Sequence, residues 1–401
     1  MEATALADAG VRVSVISPCP TKPDPDRPDE PAEPVRVIDG VHVYRYPPPK
    51  EAAGLFGYFS EYWHSYTHTK SLLARVWREC PFDAIQGCNP PDFFWALAEP
   101  YKKRFGVKYV FDHHDLCPEL YVAKFGRKDL LYHVTRWFER KTFRAADACI
   151  ATNESYKRIA TGRGGKRDAD VTVVRSGPRL SMFEPVTPDE SLKRGREFLG
   201  VYLGVMGRQD GVDYALRAIR HAVDAGLTSC SFTFIGKGEA FDELVRLATE
   251  LKLDDYVRFT GRVSDEELIR HLSTADIAIA PDPEDDFNTH CTMNKIVEYM
   301  AMSLPIVSFA LNESRFSAAD AAVYVADNDE AEMGRQIKSL LENPDRRAEM
   351  GRVGRDRFEQ GLSWDASEVV YLDFWRRLLG PLPCDVTDVV AEEAFGEPVE
   401  V

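Results

Sequence analysis

The chain has 401 residues, 44% hydrophobic and 29% charged, with a formal net charge of −15. That length holds two or three domains with packed cores, the composition is that of a soluble globular chain, and the charge argues against general nucleic-acid binding. No apolar run approaches the ~20 residues of a membrane span, and MEATALADAG at the start lacks the basic and apolar regions of a signal peptide.

The eight cysteines are scattered, with no Cys-x-x-Cys pair, which reads as reduced thiols in the cytoplasm rather than a disulfide or zinc framework. Charge is uneven. Residues 101–180 hold 18 Lys/Arg against 9 Asp/Glu. Such a segment fits either an anionic partner or a solvated basic surface.

In chain order, Met1–Ala9 reads as a helix end closed by Gly10, and Val11–Ile16 as a strand. Seven prolines between Pro18 and Pro34 predict an exposed, mobile loop. Gly40–Tyr46 is a strand. Tyr58–Glu79 is a helix with an aromatic stripe, Tyr58, Phe59, Tyr62, Trp63, Tyr66 and Trp77, expected mostly in the core with a share lining an acceptor cleft. Phe82–Gly87 and Lys108–Asp112 are strands joined by a helix over Phe93–Arg104.

FDHHDLCPELY, Phe111 to Tyr121, follows the second of these strands, and strand ends in α/β folds gather chemistry. His114, Asp115 and Glu119 are therefore candidates to face a cleft, where a carboxylate or imidazole takes a hydroxyl proton. Adjacent His113 and His114 on an extended segment point to opposite sides. No further ligand set closes a tetrahedron, so no metal is expected.

A helix over Leu130–Ala146 carries Arg136, Arg140 and Arg144 in a stripe beside Leu130, Val134, Trp137 and Phe138. It fits an anionic membrane surface or a domain helix with a basic outer face. Ala148–Thr152 is a strand, Ser155–Gly162 starts a helix, and Val171–Val174 ends this half. RSGPRLSMFEPV reads as a linker.

The second half repeats the pattern. Strands are expected at Gly200–Val205, Cys230–Ile235, Val257–Thr260, Ile277–Ala280, Leu304–Phe309 and Val323–Val325. Helices follow MGRQDG, cover 241–252, Asp265–Ser273 and Asp329–Asn343, then run to about Gln360. Between Ile277–Ala280 and Leu304–Phe309, Met293, Ile296, Val297, Met300 and Ala301 recur at helical spacing, with Thr292 as the expected N-cap. Asn294, Lys295 and Glu298 are read as sharing the face away from the core. A polar trio beside an anion-friendly helix start fits a nucleotide site or an ordinary solvated face.

A β-α-β-α order twice over, with a break near 175–190, predicts two doubly wound Rossmann-like α/β domains facing across a cleft. The expected divisions are 1–177, 178–362, a helix at 363–380 and a disordered acidic tail at 381–401.

The pieces SGPRLSMFEP, GVMGRQDGVDYALRAI, FIGKGE, DYVRFTGRV, LIRHLSTADIAIAP and NKIVEYMAMSLPIV, in this order and spacing, resemble the nucleotide-sugar-dependent glycosyltransferases of family 4, which have the GT-B fold. The likeness spans roughly residues 1–379 and is most specific between Val174 and Val307. It implies that the second half holds the donor and the first the acceptor, with the helix Trp364–Leu379 crossing back. It further implies retention at the anomeric carbon without a metal or other cofactor. Glu298 matches the second glutamate of the family's E-x7-E motif, which holds the donor ribose. Gly207-Arg208 matches the basic position that reaches the diphosphate. A carboxylate accepts two hydroxyls, and a guanidinium grips phosphate oxygens with paired donors.

Three departures stand out. His290 occupies the first glutamate position. Asp210-Gly211 replaces the usual Lys-Gly step, which leaves phosphate neutralisation to Lys295 or Lys237. The chain also opens inside what looks like the first helix, without the family's leading strand and glycine-rich loop. It therefore reads as a shortened gene model lacking ~15–30 upstream residues, one strand–loop unit.

The expected function is glycosyl transfer from a nucleoside-diphosphate sugar to a saccharide or lipid-linked acceptor, in cell-envelope or exopolysaccharide synthesis. The expected place is the cytoplasm, peripherally at the inner face of an anionic membrane. A nucleotide-sugar 2-epimerase of the same fold and a non-catalytic nucleotide-sugar-binding protein are the alternatives.

Overall fold

The structure, a computed structural model, describes residues 1–19, 35–48 and 54–384. The proline-rich loop expected around 18–34 and the acidic tail therefore lie largely outside the described residues. The first half runs α1 (Glu2–Asp8), β1 (Ser14–Pro18), β2 (Val35–Ile38), β3 (Val41–Tyr46), α2 (Gly54–Glu79), β4 (Ala84–Cys88), α3 (Trp95–Phe105), β5 (Lys108–His113), α4 (Cys117–Phe125), α5 (Leu130–Ala145), β6 (Ala148–Ala151), α6 (Glu154–Thr161) and β7 (Val171–Val173). The second runs β8 (Phe198–Leu203), α7 (Val212–Asp224), β9 (Cys230–Ile235), α8 (Phe241–Glu250), β10 (Val257–Gly261), α9 (Asp265–Thr274), β11 (Ile277–Ala280), α10 (Asn294–Ala301), β12 (Ile306–Phe309), α11 (Asn312–Ala318), β13 (Ala322–Val325), α12 (Glu330–Leu341), α13 (Pro344–Arg357) and α14 (Trp364–Leu379).

The second half is a six-stranded parallel sheet in the order β10-β9-β8-β11-β12-β13. Its inner strands are mostly apolar, as expected where helices cover both faces. All residues of β9 and β11 are buried. The strand order reverses between β8 and β11, and parallel sheets open their ligand crevice at the carboxyl ends of strands on either side of such a reversal.

The parallel α/β plan of the first half is as expected, but its strands fall in two sheets. One is parallel, in the order β4-β5-β6-β7, and the other is β1-β3-β2. The strand β2 is absent from the sequence reading. It forms an antiparallel hairpin with β3 through Asp39 and Gly40, whose φ values are 47° and 76°. An Asp-Gly pair between alternating apolar residues is a strong hairpin signal.

Two further expectations are corrected. Tyr62 and Trp63 on α2 are exposed rather than core. Met293, not Thr292, stands at the N-cap of α10, and the Thr292 hydroxyl accepts a hydrogen bond from Asn153 instead. His113 and His114 do diverge: His113 is buried among Phe111, Phe143 and Tyr156, and burial pushes its imidazole down to about 3.

The helix α14 packs on the first half. Trp364, Tyr371, Phe374 and Trp375 share a cluster with Ala5 and Leu6 of α1, Val110 of β5 and Ile150 of β6. Tyr371 Oη donates to Gln86 Oε1 on β4 at 2.8 Å. Emptying this cluster should be costly. Trp375→Ala is expected to remove about 3–5 kcal/mol of stability in urea unfolding, and a loss under ~1 kcal/mol would show that the helix is not a structural strap.

Candidate active site

Two adjoining cavities of about 390 and 490 Å³ share Val205, Asp210, Thr292, Met293 and Asn294. Each is in the size range of small-molecule sites. The larger is walled by loops at the carboxyl ends of β8, β9 and β10 and by α10. The smaller adds His114, Asp115, Lys124, Thr152 and Tyr156 from the first half.

The ends of β8 and β9 approach as closely as backbone allows. A Cβ on Gly236, whose φ is +130°, would lie 1.9 Å from the Gly204 carbonyl oxygen. Only glycine serves there. The turn that follows β8 is closed by Asp210 Oδ2, which accepts from the Gly207 backbone N–H at 2.8 Å. That turn aims Arg208 outward. Its guanidinium is 78% exposed, 3.1 Å from Glu243 on α8, and outside both cavities. The expected diphosphate grip of Gly207-Arg208 is therefore not assembled. Asp210 lines the cavity instead, and burial pushes its carboxyl up to about 6 against the pull of Lys295.

Lys295 was expected on an outward face but is buried. Its Nζ lies 2.7 Å from Asp282 Oδ1 and 4.9 Å from the Tyr202 ring centre. Burial opposes its charge, but Asp282 and Asp210 outweigh that and raise its pKa. Around the helix axis Lys295 sits ~100° from Asn294, enough to turn it toward the sheet. Asn294, Lys295 and Glu298 all line the larger cavity, as do Lys237 and exposed Arg262.

The Glu298 carboxylate has neither a hydrogen bond nor an ion pair among the described residues. Burial pushes its carboxyl up to about 6, with Lys295 pulling the other way. His290 lines neither cavity, and its buried Nδ1 has no hydrogen-bond partner among the described residues. Arg262 is missing from the sequence reading. Its signal was a basic residue directly after a strand-ending glycine, the same arrangement that puts Lys237 behind Gly236.

On the opposite wall, buried Asn89 pins the loop after β5. Its Oδ1 accepts from the backbone N–H groups of His114 at 2.7 Å and Asp115 at 3.0 Å, and its Nδ2 donates to the Asp115 carbonyl at 2.6 Å. The His114 Nε2 is 2.9 Å from Asp112 Oδ1. Burial opposes a charge on this ring, yet Asp112 and Cys88 outweigh it and hold the imidazole protonated up to about 11. Asp115, next along the same loop, lines the smaller cavity beside His114. Burial raises the Asp115 pKa, partly offset by His114 and Lys124.

Glu119 does not face the cleft. Both its carboxylate oxygens pair with the Arg163 guanidinium, which also holds Glu139 at 2.6 Å. Among the described residues, Cys88, Asp112 and His114 form the one grouping of metal-ligand types, with ligand atoms within 4.8 Å of one another.

A cleft between two parallel α/β halves, lined by strand-end loops, is the arrangement of a GT-B glycosyltransferase. The profile described as "Glycosyl transferase 4-like domain" matches residues 1–177, and that described as "Glycosyl transferases group 1" matches residues 197–343. The chain belongs to the family 4 glycosyltransferases and is an enzyme of sugar transfer. The 2-deoxystreptamine glucosyltransferase of Streptomyces kanamyceticus is 24% identical over 85% of this chain and 89% of its own. Among solved structures, sucrose-phosphate synthase from Thermosynechococcus elongatus superposes with a TM-score of 0.74 at 18% identity, covering 94% of this chain and 91% of that one. The Anabaena protein HepE, solved with UDP-glucose, gives 0.60 at 14% identity, covering 84% and 85%.

The raised Glu298 carboxyl has a measurable consequence. A folded-state pKa above the unfolded one means the native state binds the extra proton, so this group's contribution to stability falls as pH rises from about 4.5 through about 6. Glu298→Gln removes that penalty. The variant is expected to match wild type near pH 4 and to be more stable at pH 8, by on the order of 1–2 kcal/mol. Equal stability differences at both pH values in paired urea titrations would contradict the placement.

Proposed function

We propose that this glycosyltransferase takes its sugar from a nucleoside-diphosphate sugar bound in the larger cavity, and that its acceptor enters from the His114–Asp115 wall. The observation that carries this is Glu298. A half-buried carboxylate without a protein partner, facing a cavity at the carboxyl end of a parallel sheet, suits a ligand diol such as ribose. Lys237 and Arg262 are placed to offset diphosphate charge from the ends of β9 and β10. The solved neighbour with UDP-glucose supports a uridine donor as the first probe.

In the reaction, the C1–O bond to the diphosphate breaks and the acceptor oxygen bonds C1 on the same face, with configuration retained. The electron pair leaves with the diphosphate, where Lys237 and Arg262 oppose the growing charge. The acceptor's proton passes to the Asp115 carboxylate. No metal takes part in this scheme. A saccharide acceptor is supported by a relative named glycogen synthase, and a cell-envelope role by a fold neighbour, WaaG, described as involved in lipopolysaccharide biosynthesis.

Calorimetry with UDP-glucose in buffer containing EDTA tests the donor site. Glu298→Gln should weaken binding by roughly 1–3 kcal/mol. Arg262→Ala combined with Lys237→Ala should weaken UDP while leaving uridine nearly unchanged. Unchanged UDP-glucose affinity in Glu298→Gln, or equal losses for UDP and uridine in the double variant, would refute the assignments.

No helix among the described residues is long and apolar enough to cross a membrane. On α5, however, Arg140 and Arg144 are exposed beside exposed Leu130 and Trp137. Arg136 belongs less to this face, because it is tied to Tyr132 and Glu139. Peripheral docking of α5 on anionic lipid would bring a lipid-linked acceptor to the first half. Co-sedimentation with phosphatidylglycerol vesicles should fall steeply as salt screens the arginines. Absent or salt-independent binding leaves α5 an ordinary solvated face.

A further inference from the structure

The two halves meet through a strip of buried polar contacts that none of the proposed chemistry uses. Its centre is Asn153, at the junction of β6 and α6, with no exposed surface. Its Oδ1 accepts from the Tyr156 backbone N–H at 2.8 Å and caps α6. Its Nδ2 reaches into the other half, donating to the His290 carbonyl at 2.9 Å and to Thr292 Oγ1 at 3.0 Å. Beside it, Tyr156 Oη is 3.2 Å from Cys291 Sγ. Ser155 Oγ donates to Glu313 Oε1 on α11 at 2.5 Å. Residues 290–292 run directly into α10, and Thr292 lines both cavities.

We propose that Asn153 is a positioning residue, a latch that fixes the distance between the donor cavity and the His114–Asp115 wall. This rests on the assignment of the two walls made above. A buried amide donor cannot be left unpaired without a desolvation penalty. Small sliding of the halves is therefore penalised: either both bonds form and the wall closes on the donor, or the halves part and water reaches Asn153. Such contacts make closure two-state rather than gradual. Donor binding itself uses second-half residues, so the latch governs turnover more than donor affinity.

The cap and the latch use different atoms of one side chain, and this separates them experimentally. Asn153→Asp keeps an oxygen for the Tyr156 N–H but has no N–H for the His290 carbonyl. Thr292→Val removes the second acceptor and leaves α6 untouched. Thr292→Val, which buries no new charge, should melt within about 3 °C of wild type. Asn153→Asp should bind UDP-glucose within about twofold by calorimetry, yet both variants should lose roughly tenfold to a hundredfold in kcat, the scale on which slight misplacement of reacting groups acts. Small-angle scattering of the ligand-free protein should show a larger radius of gyration in both variants. Wild-type kcat and wild-type scattering would overturn the latch, as would a loss of donor affinity large enough to account for the whole fall in turnover. Scattering needs no substrate. A chain that binds no nucleotide-sugar would therefore sink the functional reading, while the latch stood or fell on scattering.

Discussion

The buried Lys295 ammonium is the constraint on which the donor side is built. Removed from water, such a charge persists only with a counter-ion and well-placed neighbours. Asp282 supplies the first at 2.7 Å, and the face of Tyr202 lies beneath it. The same helix contributes Tyr299, whose hydroxyl accepts from the Leu203 N–H at 2.7 Å and donates to the Ile279 carbonyl at 3.3 Å. The helix α10 is thereby fastened to the ends of β8 and β11, on the two sides of the reversal in strand order. One turn after Asn294, Glu298 is left facing the cavity, and its orientation follows from the anchoring of its neighbours.

This arrangement also explains why an acidic turn is tolerated beside a proposed diphosphate. Asp210 stands where a basic step was expected, but its charge is weakened by burial and partly balanced by Lys295. The exposed cations lining the cavity come from the next two strand ends, at Lys237, whose ammonium lies 5.3 Å from the Phe241 ring centre, and Arg262. Lys295 lines the larger cavity while held by Asp282, and the exposed cations stand beside it. On the other wall Asp112 favours the protonated form of His114, while Asp115 next to it has a carboxylate without an ion pair among the described residues. The two walls come from different halves of the chain, so their separation is set by how the halves meet.

Much of this was legible in the sequence. The spans Cys230–Ile235, Ile277–Ala280 and Trp364–Leu379 match their predicted bounds because apolar runs and periodic stripes are local signals. Glu298 and Asn294 were legible for the same reason. Lys295 was not, since three- and four-residue spacing defines a broad arc and only packing decides which edge of it is buried. Glu119 was misread because Arg163 lies 44 residues away, and ion pairs between distant segments leave no local trace. Arg208 was misplaced by the closure of its own turn through Asp210. Asn89 and Asn153 passed unnoticed as ordinary loop and cap residues, because their second roles depend on strands and halves brought together by the fold.

The central claim is that Glu298 receives the sugar of the nucleotide. A crystal structure of the chain with UDP-glucose bound tests it directly. The account predicts both ribose hydroxyls within hydrogen-bond distance of the Glu298 carboxylate, about 2.5–3.0 Å, with the diphosphate beside Lys237 and Arg262. Density for the nucleotide elsewhere, with Glu298 facing only solvent, would contradict it.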